Sequence, residues 1–383
     1  VRQALNAARD PASLVIPETL RPRDGRFGCG PSKVRSEAIG ELAAVGTTWL
    51  GTSHRQDPVR AVVGRLREAV ATLFGAPEGY EVVLGNGGAT AFWDIAAFCL
   101  VRRRSQHLVF GEFSGKFASV TQAAPFLDEP DIRRSEPGTH PDPVALDDVD
   151  TYALTHNETS TGVAVAPRRP EGAEGLVVVD ATSAAGGLLV DVAETDAYYF
   201  SPQKCLGSDG GLWIALLSPA ALDRAEEIAT SGRWVPAFLD LRQARDASRR
   251  NETVNTPALA TLFLATRQLE WILDRGGLAW SAARSATSAS LLYDWAERSS
   301  FAQPFVARPE DRSNVVATID FDERVDASSV SRVLRANGIV DTEPYRKLGR
   351  NQLRIGVFPA VDPEDVSTLC QAIDWVTERL VSR

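Results

Sequence analysis

One lysine, Lys204, stands in the run "YYFSPQKCLGSDGGLW" (198–213), behind aromatic and small residues and three positions before Gly207. A lysine can be simple solvated surface. Enclosed among such neighbours it is partly desolvated, which favours the neutral amine that attacks a carbonyl to form a Schiff base. Asp180 ends "LVVVD", where it could pair with a protonated ring nitrogen, hold a metal, or cap the next segment. No His, Asp or Glu lies near it at ligand spacing, so no metal is expected. The stretch "GNGGAT" (85–90) precedes an apolar helix. Its free N–H groups, with the Thr90 hydroxyl, could cradle a phosphate, or its glycines could serve a tight turn. The G-x-x-x-x-G-K-[ST] run of a nucleotide phosphate loop is missing.

Basic groups elsewhere in the chain are further candidates. His54 and Arg55 form a polar pair in "GTSHRQDP", and Arg346 and Arg354 frame "YRKLGRNQLR". Arg354 interrupts an otherwise apolar strand, "LRIGVF", so a buried face there needs an anionic partner such as a carboxylate. Cys205 follows the lysine and reads as a small packing residue, because no histidine in its segment could act as its base.

The elements that must position these groups are legible as short apolar runs. "YEVVLG", "HLVFGEF", "TYALT", "GLVVVD", "AYYF" and "GLWIALL" read as strands, separated by loops and helical patterns such as "PVRAVVGRLREAVATLFG". That alternation predicts an α/β fold whose large domain has a mostly parallel central sheet covered by helices, in preference to an antiparallel sandwich. "GNGGAT", "NETSTG", Asp180 and Lys204 all follow strands, and the carboxyl ends of strands in an open parallel sheet are where a ligand site forms. Helical periodicity dominates 220–300, after which strands "SNVVATIDF" and "QLRIGVFP" and two helices predict a smaller C-terminal α/β domain. The expected division is an extended N-terminal segment over 1–31 packing with the small domain, a large domain over 32–272 and a small one over 273–383.

With 41 Lys+Arg against 50 Asp+Glu, the net charge of -9 opposes nucleic acid and membrane-surface binding. The four cysteines are too scattered for ligand pairs and read as reduced thiols. No apolar run is long enough for a membrane span and no leader pattern opens the chain, so a cytoplasmic protein is expected.

The segments "FGCGPSKVR", "GTSHR", "GNGGATAFWD", "GEFSGKF", "HNETSTGVAV", "VVDATSAAGG", "YYFSPQK", "DGGLW", "NTPA" and "DTEPYRKLGRNQLRIGVFPAV" occur in order over nearly the whole chain. Together they resemble the phosphoserine aminotransferase family in its actinobacterial form. The resemblance implies a fold-type I aminotransferase that uses pyridoxal 5'-phosphate and works as a homodimer with active sites at the subunit interface. It implies ping-pong amino transfer between L-glutamate and 3-phosphohydroxypyruvate, giving 2-oxoglutarate and O-phospho-L-serine in serine biosynthesis. Some members also aminate a phosphorylated four-carbon keto acid on the route to pyridoxine.

By this resemblance Lys204 carries the cofactor as a Schiff base and Asp180 faces the pyridine nitrogen. Thr159 lies beside the cofactor hydroxyl, and Ala89, Thr90 and Gln203 reach the phosphate. Phe113 stacks on the ring, where many relatives have tryptophan. Asn255 and Thr256 approach the phosphate from the neighbouring subunit. His54 and Arg55, also from the partner, join Arg346 and Arg354 in holding substrate anions, with Arg354 on the α-carboxylate. Tyr345 departs from the histidine that many relatives place before the arginine. The alternative is another fold-type I aminotransferase, such as a serine–glyoxylate or alanine–glyoxylate enzyme, which needs no substrate phosphate pocket. A cysteine desulfurase would need a reactive cysteine on a mobile loop. A further rival, from another class, is a binding protein that kept the fold without catalysis.

Overall fold

The computed structural model describes residues 13–381, so the first twelve positions of the expected N-terminal segment lie outside the described residues. The strands in chain order are β1 (Glu81–Asn86), β2 (Ser105–Val109), β3 (Asp131–Arg134), β4 (Thr151–Thr155), β5 (Asn157–Glu158), β6 (Val163–Ala164), β7 (Leu176–Asp180), β8 (Ala197–Phe200), β9 (Leu212–Leu217), β10 (Ala302–Pro304), β11 (Val316–Phe321) and β12 (Gln352–Gly356). Seven of them form the large sheet in the order β1-β9-β8-β7-β4-β2-β3. Strands β8, β7, β4, β2 and β3 run parallel, and β9 pairs antiparallel with both β8 and β1. β9 is thus the one reversed strand of this sheet.

Burial on both faces explains the continuous apolar runs. Val177 and Val179 of β7 pack on one side, with the helices Asp57–Phe74 and Leu259–Leu273. Leu176 and Val178 pack on the other, with the helices Ala89–Cys99 and Pro219–Thr230. β9 divides the same way: Leu212, Ile214 and Leu216 join the first core, and Trp213, Ala215 and Leu217 the second. The edge strand β3 reads "DIRR" and is only partly buried, so charge blunts the open edge.

The smaller α/β domain has an antiparallel sheet, β10-β11-β12, packed by the helices Gly277–Arg298, Ala327–Ala336 and Pro363–Val381. Ile16 and Phe27 belong to that core. Two elements have no clear sequence signal: β3, and the helix Ser36–Trp49, whose Gly40, Gly46 and Thr47 weaken helical propensity. The "HLVFGEF" strand is shorter than expected, because Glu112 already opens the helix Glu112–Ala123.

Since β1, β8, β7, β4 and β2 point the same way, Asn86, Val109, Thr155, Asp180 and Phe200 finish at one edge of the sheet. The reversed β9 starts at that edge, behind Gly210 and Gly211.

Candidate active site

A cavity of about 390 Å³ opens at this edge, and Ala89, Thr90, Phe113, Thr159, Asp180, Gln203 and Lys204 all line it. Lys204 lies just beyond β8 and is buried. Its turn is pinned from the N-terminal segment: Ser32 donates its backbone N–H to the Gln203 carbonyl at 2.8 Å and its hydroxyl to the Lys204 carbonyl at 2.5 Å. The Lys204 Nζ donates to the Cys29 carbonyl. The chain passes so close that a Cβ on Gly30, whose φ is +142°, would stand 1.8 Å from Nζ. At this positive φ a side chain is strained, and its Cβ would push the lysine end aside. Burial lowers the lysine pKa from 10.5 to about 8, and the Arg354 guanidinium adds to the shift while the Asp180 carboxylate opposes it. A neutral amine, the nucleophilic form, is therefore accessible near neutral pH.

Asp180 ends β7 and is held at both oxygens. Trp93 Nε1 donates to Oδ2 at 3.0 Å and the Thr182 backbone N–H to Oδ1 at 2.9 Å. Burial raises the pKa of its carboxyl, and these donors pull it back. A cationic ring nitrogen facing it would supply the charge that burial withholds.

The helix Ala89–Cys99 starts from Gly87 and Gly88, with φ of +114° and +75°, a conformation that favours glycine. No side chain caps this end, so the first N–H groups of the helix are open to an anion, with the helix dipole in support. Phe113 sits at the start of the helix Glu112–Ala123, its ring 6.0 Å edge-on from that of Tyr345. Thr159 donates its hydroxyl to Ser183 Oγ at 2.8 Å, and its carbonyl accepts from Arg354 Nη1 at 3.0 Å. Arg354 stands on β12 with its guanidinium 5.2 Å from the centre of the Tyr345 ring.

Arg354 is not itself part of the cavity wall, and His54, Arg55, Asn255, Thr256 and Arg346 lie outside it as well. His54 Nδ1 contacts Thr256 Oγ1 at 3.1 Å, and Asn86 Nδ2 donates to the carbonyls of Asn255 and Thr256 at 3.4 and 3.1 Å. Arg55 lines a separate hollow with His54, Thr253 and Val254. Arg346 is exposed on a short turn, Arg346–Leu348.

Sequence reasoning missed Gly30, Trp93, Ser183 and Glu158 as members of the site. Gly30 and Trp93 fall within the quoted "FGCGPSKVR" and "GNGGATAFWD", but nothing in either run tells which distant group it meets.

The cavity suits a polar ligand. Asn157 Oδ1, Thr182 Oγ1 and Gln203 Oε1 belong to residues lining it, yet are buried without a hydrogen-bond partner. Orphaned polar atoms of this kind are costly until something satisfies them. A phosphorylated hydroxypyridine aldehyde offers an anion for the open helix end, polar atoms for the orphans, a ring nitrogen for Asp180 and a carbonyl for Lys204. Among the described residues no group of three or more His, Cys, Asp or Glu is placed to hold a metal. Nor is any helix among them long and apolar enough to cross a membrane.

Residues 139–342 match the family Aminotransferase class-V. The sheet, the enclosed lysine and the matched family define a pyridoxal-phosphate-dependent aminotransferase. The chain is 59% identical over 367 residues to a phosphoserine aminotransferase of Rhodococcus jostii, covering 96% of this chain and 98% of that one. The phosphoserine aminotransferase of Cytophaga hutchinsonii has the same fold, with a TM-score of 0.85 at 22% identity over 92% of this chain and 99% of that chain. So does a PLP-bound phosphoserine aminotransferase of Trichomonas vaginalis, with a TM-score of 0.77 at 20% identity over 92% of this chain and 100% of that chain. The chain belongs to the phosphoserine aminotransferase family.

Proposed function

We propose that the chain moves the amino group of L-glutamate to 3-phosphohydroxypyruvate, giving 2-oxoglutarate and O-phospho-L-serine, with pyridoxal 5'-phosphate in the cavity at the sheet edge. The observation that carries the reading is a buried lysine with its pKa lowered to about 8, in the same cavity as a buried aspartate held by two donors. When bound, the cofactor supplies an aldehyde that carries the amino group and a protonated ring that draws electrons from the substrate Cα–H bond.

Lys204 would hold the cofactor aldehyde through its Nζ, and the same amine, when free, would take the proton from the substrate Cα. Asp180 keeps the proton on the ring nitrogen, oriented by Trp93 and Thr182. The N–H groups at Ala89 and Thr90 would hold the phosphate, and Gln203, which lines the same cavity, would add the amide donor of its Nε2. Thr159 would serve the ring hydroxyl and Phe113 would cover the ring, both lining the cavity. Arg354 takes the α-carboxylate; its Nε is buried without a partner, so it has a donor to spare. Because the amino group would stay on the enzyme after the first keto acid leaves and before the second binds, the kinetics should be ping-pong.

His54, Arg55, Asn255 and Thr256 are proposed to serve the active site of a second subunit in a homodimer. Their place outside the cavity they are expected to serve supports this. Arg346 is proposed to meet the substrate phosphate or the distal carboxylate of glutamate. The same reading takes 32–272 as the cofactor-binding unit and 273–383 as the small one. The packing of Ile16 and Phe27 in the small-domain core supports an N-terminal segment, 1–31, that belongs with the latter. Buried free cysteines fit a cytoplasmic setting.

The test is an assay of the purified protein with 2-oxoglutarate and either O-phosphoserine or serine. Turnover should be confined to the phosphorylated substrate. Equal or faster use of serine, or of alanine with glyoxylate, would instead assign a non-phosphorylated substrate. The same assay run on the phosphorylated four-carbon substrate reports the breadth of the pocket.

A further inference from the structure

We infer that Glu158 is a positioning residue: its buried carboxylate sets the start of the helix Glu112–Ala123 and so fixes the Phe113 ring against the cofactor. The inference rests on the reading that Phe113 stacks on the cofactor ring.

Glu158 is completely buried. A carboxylate in that setting needs hydrogen-bond partners. Five donors serve it, none of them a lysine or arginine. Oε2 accepts from the backbone N–H groups of Phe113 at 3.1 Å and Ser114 at 2.9 Å, and from the Ser114 hydroxyl at 2.9 Å. Oε1 accepts from the Ser160 backbone N–H at 3.1 Å and the Ser160 hydroxyl at 2.7 Å. Ser160 Oγ in turn accepts from the Glu112 N–H at 3.0 Å. One oxygen thus holds the first N–H groups of the helix, where the dipole favours a negative charge, and the other holds the turn that carries Thr159.

Two further contacts give this arrangement its reach. Gly111 lets the carboxylate approach, since a Cβ there would come within 2.3 Å of Glu158 Cγ and 2.6 Å of Ser160 Oγ. The Thr159 carbonyl, next in the chain, holds Arg354 Nη1 at 3.0 Å. A single side chain therefore sets the spacing between the aromatic cover, the Thr159 hydroxyl and the arginine assigned to the substrate carboxylate. An isosteric amide replaces it poorly: a serine hydroxyl can turn to accept, but whichever oxygen becomes NH2 would face at least one backbone N–H, of Ser160 on one side or of Phe113 and Ser114 on the other.

The experiment is a double-mutant cycle on the holoenzyme and its cofactor-free form, using Glu158→Gln, Phe113→Ala and the pair. The readouts are the Kd for pyridoxal 5'-phosphate, the visible circular dichroism of the bound cofactor, and thermal melting. Glu158→Gln should weaken cofactor binding about tenfold and diminish the visible dichroism, as Phe113→Ala does, and the pair should lose little more than either alone. A fall in melting temperature with unchanged Kd and dichroism would make Glu158 a stability element only and overturn the inference, as would losses that multiply in the pair. Normal cofactor binding by Phe113→Ala alone would overturn the stacking reading and the inference with it. If Glu158→Gln does not fold, Ser160→Ala removes one donor from Oε1. It should weaken cofactor binding about threefold, and an unchanged Kd would overturn the inference.

Discussion

The indole N–H of Trp93 donates to Oδ2 of Asp180 at 3.0 Å, joining the helix Ala89–Cys99 to the tip of β7 across 87 residues of sequence. With Thr182 on the other oxygen, it leaves the carboxylate one orientation. Trp93→Phe keeps the apolar bulk and removes the donor. Loss of a charge-assisted bond of roughly 1.5–3 kcal/mol should weaken cofactor binding on the order of tenfold or more. Titration of the cofactor-free variant with pyridoxal 5'-phosphate checks this, and an unchanged Kd would remove Trp93 from the site.

Lys204→Ala should abolish the absorption band of the lysine-linked cofactor and lower transamination by at least about a hundredfold, the usual scale of a lost acid–base group. A spectrum and a turnover assay on one preparation suffice. Retention of both would refute the assignment.

Gly30→Ala tests the close passage of the N-terminal segment over the lysine. The new Cβ would lie 1.8 Å from Nζ in the present arrangement, so either the lysine or the strap must move. Lysine-linked cofactor should fall sharply while far-ultraviolet dichroism stays that of the folded protein. Full cofactor loading would mean the strap yields freely.

Arg354→Ala should reduce kcat/KM for O-phosphoserine and glutamate alike, on the order of a hundredfold each, while leaving cofactor affinity nearly unchanged. A defect limited to cofactor binding would contradict its role on the carboxylate. Separate measurement of the two half-reactions distinguishes the outcomes.

The lowered lysine pKa has a signature in stability. Lys204 has a pKa of about 8 in the folded, cofactor-free protein and an ordinary value of 10.5. Between those values the unfolded chain binds the extra proton, so the contribution of this group to stability rises with pH across that window. Below it the cost of burying the charge is fully present, about 3 kcal/mol by the size of the shift. Cofactor-free Lys204→Met should therefore gain most over the parent near pH 7 and progressively less toward pH 10.5. Denaturant unfolding at pH 7 and pH 10 measures the difference, and a gain independent of pH would assign it to packing alone.

Much of the site was legible because its groups follow strands. Ala89, Asp180 and Lys204 each come just after or at the end of an apolar run, and a parallel arrangement brings such ends to one edge whatever the loops do between them. β3 and the helix Ser36–Trp49 were not, because charged or glycine-bearing segments carry little periodic signal and form through the neighbours they pack on. Nor was the reversal of β9, whose fully buried run "LWIALL" reads the same in either direction.

The sequence by itself determined the chemistry available: which side chains exist, on which kind of element, and at which end. Tertiary structure decided which of them meet. The Cys29 carbonyl reaches Lys204 across 175 residues, and Glu158 meets the helix at Phe113 across 45. His54, expected to reach substrate in a partner subunit, meets Thr256 across 202 residues, outside the cavity of its own chain. Local periodicity records only what a segment buries, whereas these meetings depend on the path of the whole chain around two cores, to which no single segment is sensitive.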